Sequence, residues 1–185
     1  MKDVVYSYLD KYGLFSWRFE KKLREGSYKF DLNARYSPKD SLIKVENIRY
    51  TDDMKIKKKQ EFQLKSQPFI RDVLAAFYFI RSQDLEVGKS IFMSNHDNKK
   101  TYDLEVKVYK REVLEVEAGK FRCLYIEPLL QGEGIFKQKG RLKVWVTDDQ
   151  YKIPVQMTSE VIVGHITTEL EKIEGLPYKI PAKLD

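Results

Sequence analysis

Side chains that ligate metals are scarce in this chain, which has only two histidines, His96 and His165. They lie far apart, and no CxxC or HxxxH spacing supplies further ligands in register, so the sequence predicts no metal site. His96 lies in the polar stretch 94–98, which predicts a turn, and His165 follows Gly164 on a predicted strand. We expect both imidazoles to be solvated or hydrogen-bonded rather than to act as ligands or bases.

Nucleophilic catalysis would need an activated cysteine or serine. The single cysteine, Cys123, lies in the alternating segment 121–125, whose pattern predicts a buried and inert thiol. No serine lies in a GxSxG turn and no phosphate-binding glycine loop occurs, because Gly119 and the predicted flexible corner at residues 131–134 are better explained as turns between strands. The sequence therefore predicts no catalytic residue, no cofactor and no cofactor-binding residue.

The adjacent carboxylates of Asp148 and Asp149 are the best-placed pair for general acid–base chemistry. They lie between two predicted strands, where hydrogen bonds from backbone groups to such side chains commonly stabilise a turn. Loops do carry function, but we favour a turn-stabilising role over catalysis for this pair.

Trp145 lies on the face of its predicted strand opposite Leu142, Val144 and Val146. Its neighbours on that face are basic or polar, so either both faces of the strand are covered or the indole meets solvent or a ligand. We favour an indole that stacks under long basic side chains or against a helix.

Lys55, Lys57, Lys58 and Lys59 form the densest run of charge in the sequence. Three of them, Lys55, Lys57 and Lys59, are predicted to share one strand face, where they could bind lipid phosphate, an acidic polymer or nucleic acid. Charged residues also keep an exposed sheet edge from pairing with another strand, and we favour that role. Aromatic and basic residues do not interleave as on an RNA-binding sheet, so no nucleic-acid partner is predicted.

The composition is that of a globular, strand-rich protein of 185 residues. Hydrophobic residues make up 42%, charged residues 34% and aromatic residues 13%, and no apolar run is long enough to cross a bilayer. The net charge of +6 favours solubility and gives only a weak preference for anionic surfaces. Residues 1–6 lack the apolar region of a secretory signal, so we expect either a cytosolic protein or one that has lost a leader.

Alternation of apolar and polar residues with a period of two predicts roughly ten strands. Residues 28–36 show it most clearly, as expected of a strand with one face in water. Short turns rich in Gly, Asp and Pro separate these runs, which is typical of antiparallel hairpins, and a bend is predicted at residues 161–164. The predicted strands lie near residues 15–19, 28–36, 42–50, 54–64, 102–109, 121–127, 142–147, 153–157 and 166–170.

One amphipathic helix is predicted over residues 68–82, with Pro68 at its start and Arg81 in its last turn. Its wide apolar face should lie against the apolar side of a sheet or in an open barrel end. Roughly ten strands are more than one flat sheet usually holds. We therefore predict a mainly β fold: a strongly curved antiparallel sheet, barrel or half-barrel, with one central helix. We expect one domain over residues 1–175 and an extended tail over residues 176–185.

The order of features in the C-terminal half resembles the bacterial domain-of-unknown-function 3108 family. The most specific part is the passage from Trp145 through Asp148 and Asp149 to the Ile-Pro-Val segment 153–155, and the resemblance covers most of the chain. It implies an exported protein of Gram-negative bacteria, and it carries over no functional residue because no activity is established for the family. Further matching segments are residues 77–81, 85–88, 117–121, 127–128, 139–142, 163–165 and 169–170.

Three functions remain open at this point. We expect a non-enzymatic binding or carrier domain in the periplasm or at the outer membrane, in which the sheet and the helix enclose an apolar cavity for an apolar or lipid-like ligand. The alternative is a structural or protein-interaction module that contacts an envelope component through its strand edges or its lysine-rich face. The third is an enzyme whose polar cleft gathers Asp, Glu, His or Tyr from distant segments.

Overall fold

The computed structural model of the chain describes residues 2–130, 141–160 and 164–184. These residues form eleven β-strands and one short α-helix, which confirms the prediction of a mainly β fold. The predicted corner at 131–134, residues 139–140 of the family-like segment and residues 161–163 of the predicted bend lie outside the described residues.

The chain divides into two compact units, one with residues 1–79 and 93–103, the other with residues 80–92 and 104–185. The expectation of a single domain over residues 1–175 stays a prediction. Each unit is described by itself below.

The first unit contains a five-stranded antiparallel sheet in which each strand pairs with the next one in the chain. The predicted alternation is confirmed in its third strand, where Leu32, Ala34 and Tyr36 are buried and Arg35 is exposed. The buried face forms the core of this unit, and Leu74 of the helix packs against it. The strands are β1 (Val4–Leu9), β2 (Ser16–Glu25), β3 (Tyr28–Ser37), β4 (Leu42–Tyr50) and β5 (Ile56–Lys65).

The helix α1 spans Val73–Arg81 and begins five residues later than Pro68, where the sequence placed its start. Two features explain the difference. Phe69 adopts a positive φ of 59°, which no α-helix accommodates, and the carboxylate of Asp72 caps the helix. Asp72 Oδ1 accepts hydrogen bonds from the backbone N–H groups of Leu74 at 2.9 Å and Ala75 at 3.1 Å. No helix within the described residues has the length and apolar character needed to span a membrane.

The second sheet has six antiparallel strands, again in chain order. Its strand β6 ends, and its strand β7 begins, within the first unit, whereas the other four strands belong wholly to the second unit. A tight turn at residues 117–118 joins β7 to β8, one residue earlier than the turn that the sequence predicts at residues 118–120, and Gly119 follows it with a φ of 121°. The strands are β6 (Ser90–Asp97), β7 (Lys100–Val116), β8 (Gly119–Leu130), β9 (Leu142–Thr147), β10 (Pro154–Glu160) and β11 (His165–Glu169).

The prediction of one strongly curved sheet, barrel or half-barrel is wrong. Among the described residues neither sheet closes, because β1 and β5 are the outer strands of the first sheet and β6 and β11 those of the second. Alternation identifies the buried face of each strand, but closure depends on the register shift that accumulates from strand to strand, which alternation does not encode. Two sheets of moderate width accommodate the eleven strands instead.

Two strands, β1 and β6, were not predicted. The predicted turn at residues 94–98 is wrong, because β6 continues to Asp97 and the turn follows at Asn98, which has a φ of 52°. The polar residues Asn95 and His96 are buried in this strand, where hydrogen bonds satisfy most of their polar atoms. Buried polar side chains with partners have no signature in a hydrophobicity pattern.

Candidate functional site

A groove in the second unit runs beside the C-terminal segment, residues 171–184, and has a volume of about 720 Å³. We call it the C-terminal groove. Its size suits a small-molecule ligand, since such sites commonly enclose about 300–1,000 Å³. It is lined by Glu117, Ala118, Glu171, Lys172, Ile173, Gly175, Leu176, Tyr178, Lys179, Ile180, Lys183 and Leu184.

Main-chain hydrogen bonds hold the C-terminal segment against the start of β8. Arg122 N–H donates to Ala182 C=O at 2.8 Å, and Leu184 N–H donates to Lys120 C=O at 2.8 Å. Ala182 is fully buried as a result. The stretch 176–185, which we expected to form an extended tail, thus contributes a wall of the groove up to residue 184.

Gly175 allows the chain to reverse direction within this segment. Its φ of 76° lies in the left-handed region, where a residue with a Cβ atom is strained even though the space around it is open. The reversal is what brings residues 171–173 and 176–184 to the same groove.

The floor of the groove is aliphatic and continuous with the core below it. Ile173 and Ile180 pack against the buried side chains of Phe121, Cys123 and Val155. Leu176 and Leu184 remain 41% and 45% exposed. The groove therefore offers apolar surface to a ligand at little cost in conformational entropy, because its inner side chains are already packed.

The three lysines of the groove differ in their partners. Lys172 pairs with Glu174, and the Lys183 ammonium group donates to Ala118 C=O at 2.9 Å while lying 5.7 Å from the ring centroid of Phe121. Lys179 makes no hydrogen bond or ion pair with any residue that the structure describes. Its ammonium group is thus available to an anion beside the aliphatic floor.

One aromatic pair fixes the outer wall. The rings of Tyr178 and Tyr151 stack with centroids 5.2 Å apart and an angle of 7° between their planes. Tyr151 lies in the turn before β10, so the stack ties the C-terminal segment to the sheet.

Asp148 and Asp149 occupy the turn between β9 and β10 and form structural contacts there. Asp148 Oδ2 accepts from Arg111 Nε at 2.8 Å. Asp149 Oδ1 accepts from Thr147 Oγ1 at 2.8 Å and from the N–H groups of the two residues at the end of the turn, at 3.0 and 3.2 Å. Asp149 Oδ2 accepts from Ala182 N–H at 3.1 Å. The turn-stabilising interpretation is confirmed for Asp149, whereas the Asp148 carboxylate pairs with Arg111 of β7 instead.

Trp145 is partly buried, and neighbouring strands of its own sheet supply its ring and hydrogen-bond contacts. Its ring stacks on Tyr125 with centroids 4.9 Å apart, and Tyr125 stacks on Tyr109 at 5.3 Å. Its Nε1 donates to Glu112 Oε1 at 2.7 Å. The pKa of Glu112 is lowered: partial burial raises it, but the hydrogen bonds from Lys110 and Trp145 together outweigh that effect. The expected cover of basic side chains is wrong in detail, because tyrosine rings and a carboxylate contact the indole.

His96 is a buried, hydrogen-bonded residue of the first unit. Its Nδ1 lies 2.9 Å from the hydroxyl of Tyr36 and its Nε2 lies 3.0 Å from Asn98 C=O. Burial lowers the pKa of His96, and it raises the pKa of Tyr36 well above its ordinary range.

His165 is exposed at the start of β11. The described residues contain no cluster of His, Cys, Asp and Glu able to hold a metal ion.

Cys123 is fully buried, and burial raises the pKa of its thiol to about 12. The prediction of a buried thiol is confirmed, and its inertness stays a prediction, which the raised pKa supports because such a thiol carries almost no thiolate at neutral pH.

The predicted lysine face is wrong in one respect. Lys55 precedes β5 in a turn where Met54 has a φ of 63°, and it pairs with Asp53 at 2.8 Å instead of sharing a strand face. Lys59 bridges Glu46 at 2.6 Å and Glu61 at 2.7 Å. The lysines of β5 lie on an outer strand, the position at which charge limits edge pairing.

The C-terminal groove was not predicted, because the prolines at 177 and 181 suggested an extended tail. One signal was present: apolar residues recur at 173, 176, 180 and 184, although the segment is neither a long helix nor a strand. Such spacing at a chain end indicates packing, even without regular structure.

Comparison with known proteins gives one match. A family model described as "Protein of unknown function (DUF3108)" matches residues 1–171. No curated protein matches the chain, and no solved structure matches it.

Proposed function

Since the chain belongs to the DUF3108 family, whose description names no activity, we propose from the site itself that the protein is a non-enzymatic binding or carrier domain for a lipid-like ligand. The ligand class is an amphiphile with one alkyl chain and an anionic head, such as a carboxylate or a phosphate. The proposed place of binding is the C-terminal groove.

The observation that carries this proposal is the juxtaposition of an aliphatic floor with an unpaired ammonium group. Leu176 and Leu184 offer exposed apolar surface above Ile173 and Ile180, and Lys179 lies at the same groove without an intramolecular partner among the described residues. An alkyl chain gains roughly 25 cal/mol for each Å² of apolar surface removed from water. The ammonium group then selects an anionic head over a neutral one.

The side chains of the groove suit binding better than catalysis. Of the described residues that line it, none is Ser, Cys or His, the residue types that most often supply nucleophiles and bases. Its glutamates, Glu117 and Glu171, lie among lysines and lower the net charge of the lining to about +1, from three lysines and two glutamates. The earlier idea of a cavity enclosed by α1 stays a prediction and is separate from this groove.

The proposal includes a location in the periplasm or at the outer membrane, supported by the resemblance to exported proteins. A cytosolic location is the alternative. Fractionation of cells that express the protein from its own gene tests this part: recovery with the envelope is expected, and recovery with the cytosol contradicts it.

The test of the binding function is native mass spectrometry of the protein purified from its own cells. We expect a bound amphiphile at a stoichiometry of one, retained under mild detergent and depleted in a variant with Leu176→Gln and Lys179→Gln. Val87→Gln is the matched control, since Val87 is also 41% exposed and lies in the same unit. Protein that carries no amphiphile in any preparation, or equal amounts in both variants, would refute the proposal.

A protein-interaction module is the second candidate, and one observation favours it. All five residues of the outer strand β11 are exposed, and an unpaired strand edge is a template for a strand from a partner. Ile166→Lys places a charge on this edge. If interaction is the function, this variant loses a partner that co-purifies with the protein while amphiphile binding is unchanged.

A further inference from the structure

The exposed face of the first sheet carries a row of cations that lies across three strands. Strand register places Arg18 of β2 directly opposite Arg35 of β3, and Arg35 opposite Lys44 of β4. The next row on the same face contains Glu20, Asn33 and Glu46. We call these two rows, with Glu61 and Gln63 of β5 and Tyr6 and Tyr8 of β1, the charged face.

Two cations of this face have no counter-charge among the residues that the structure describes. Arg18 pairs with Glu20 at 2.5 Å, and Lys59 pairs with both Glu46 and Glu61. Arg35 and Lys44 form no ion pair or hydrogen bond with any described residue. Like charges directly opposite each other on paired strands destabilise a sheet, so this pair costs stability in the free protein. An anion placed between the two side chains would remove that repulsion.

The two cations line a groove of about 510 Å³ together with planar polar side chains. Asn33 and Gln63 supply amide groups at its surface, and Glu46 and Glu61 supply carboxylates that Lys59 pairs with. Within the described part of the chain, Asn33 Oδ1 of this groove and Arg18 Nε of the neighbouring strand are shielded from solvent and have no hydrogen-bond partner. Polar atoms left in that state favour a ligand that brings hydroxyl groups of its own.

Two tyrosines extend the charged face at its β1 edge. Tyr6 lies opposite Glu20 and Tyr8 opposite Arg18, and each tyrosine is 50% exposed. Neighbouring strands lie about 4.8 Å apart, so the distance from β1 to β4 is roughly 14 Å. A short oligosaccharide spans this distance, with the apolar face of one sugar ring against a tyrosine.

We propose that the charged face binds an acidic saccharide. Arg35 and Lys44 hold its carboxylate or phosphate, the Asn33 and Gln63 amides bind its hydroxyl groups, and Tyr6 or Tyr8 contacts a sugar ring. This site lies in the first unit and is independent of the C-terminal groove in the second. Either proposal can therefore fail without the other.

Isothermal titration of the full chain with three probes tests the proposal. The probes are a hyaluronate tetrasaccharide, which carries carboxylates, a neutral cellotetraose, and inorganic phosphate. We expect saturable binding of the acidic tetrasaccharide that weakens as salt is raised, at least tenfold weaker binding of the neutral one, and weaker binding of phosphate alone. Equal affinity for neutral and acidic probes, equal affinity for phosphate alone, or no binding of the acidic probe would overturn it.

Two variants separate binding from folding. Lys44→Gln should weaken the acidic tetrasaccharide at least tenfold and raise the melting temperature, because it relieves the repulsion with Arg35. Lys39→Gln, which removes the same charge from an exposed turn of the same unit, should change neither. Undiminished binding in Lys44→Gln, or a lowered melting temperature, would contradict the assigned role of this pair.

Discussion

The backbone N–H of Ala182 donates a hydrogen bond to the Oδ2 atom of Asp149 at 3.1 Å and so joins the C-terminal segment to the turn between β9 and β10. The same carboxylate accepts three further hydrogen bonds within its turn. Asp149 thus supports both the sheet and a wall of the C-terminal groove.

Replacing Asp149 should loosen the C-terminal segment. Asp149→Ala removes the acceptor of four hydrogen bonds and should lower the free energy of unfolding by about 2–4 kcal/mol, because bonds to a charged group contribute more than neutral ones. Chemical denaturation measures the loss, and hydrogen exchange at Ala182 reports the segment. Asp148→Ala is the control: its ion pair with Arg111 is partly exposed and should contribute less than about 1 kcal/mol. Equal losses in both variants would count against this account.

Asp72 should be a main stabilising residue of the first unit. Its Oδ1 caps α1, and its Oδ2 accepts hydrogen bonds from Ser7 Oγ at 2.7 Å and Ser16 Oγ at 2.6 Å. Asp72→Ala should cost roughly 2–4 kcal/mol, since it removes a cap and leaves the buried hydroxyl of Ser16 and the half-buried hydroxyl of Ser7 without their acceptor. Asp84→Ala, at an exposed position after the helix, should cost under about 0.5 kcal/mol. Urea denaturation compares the two.

His96 should make the first unit sensitive to acid. Burial lowers the folded-state pKa of His96 below its ordinary value of 6.5, so the unfolded chain binds more protons than the folded one in that range. The contribution of His96 to the free energy of unfolding is complete above pH 6.5, and it is lost as the pH falls toward the lowered pKa that His96 has in the folded state. His96→Gln should flatten the fall in unfolding free energy between pH 6.5 and 5, whereas His165→Gln should leave it unchanged. An equal slope in wild type and His96→Gln would exclude this contribution.

Cys123 should resist alkylation in the folded protein. Full burial and a pKa raised to about 12 deny iodoacetamide both access and thiolate. Mass spectrometry at pH 8 should detect no adduct without denaturant and complete modification in concentrated urea. Rapid labelling of the folded chain would show that the cluster around Phe121 opens readily.

Much of the fold was predictable, for reasons that individual residues make clear. Leu32, Ala34 and Tyr36 lie on one face because period-two alternation reports burial directly. The start of α1 was not predictable from Pro68, because Asp72 takes the capping position through contacts with Ser7 and Ser16, which are distant in sequence. The prediction of a closed or strongly curved sheet was wrong for a similar reason, because closure depends on the register between strands that are distant in sequence.

The candidate sites were harder to predict than the fold. Lys179 lies in the predicted extended tail, and the hydrogen bonds of Ala182 and Leu184 to the sheet bring it to a groove. Arg35 and Lys44 lie nine residues apart in sequence and become neighbours through the β3–β4 register. Asp149 was interpreted correctly because a turn-forming carboxylate acts locally, whereas the pairing of Asp148 with Arg111 depends on a strand that is distant in sequence.

Calorimetric titration with dodecyl phosphate, below its micelle concentration, tests the central claim most directly. The C-terminal groove should bind one molecule, Leu176→Gln and Lys179→Gln should each weaken binding at least tenfold, or about 1.4 kcal/mol, and Val87→Gln should not change it. Dodecanol should bind more weakly than dodecyl phosphate, and Lys179→Gln should abolish that difference. No saturable binding, or binding that neither groove variant changes, would contradict the claim.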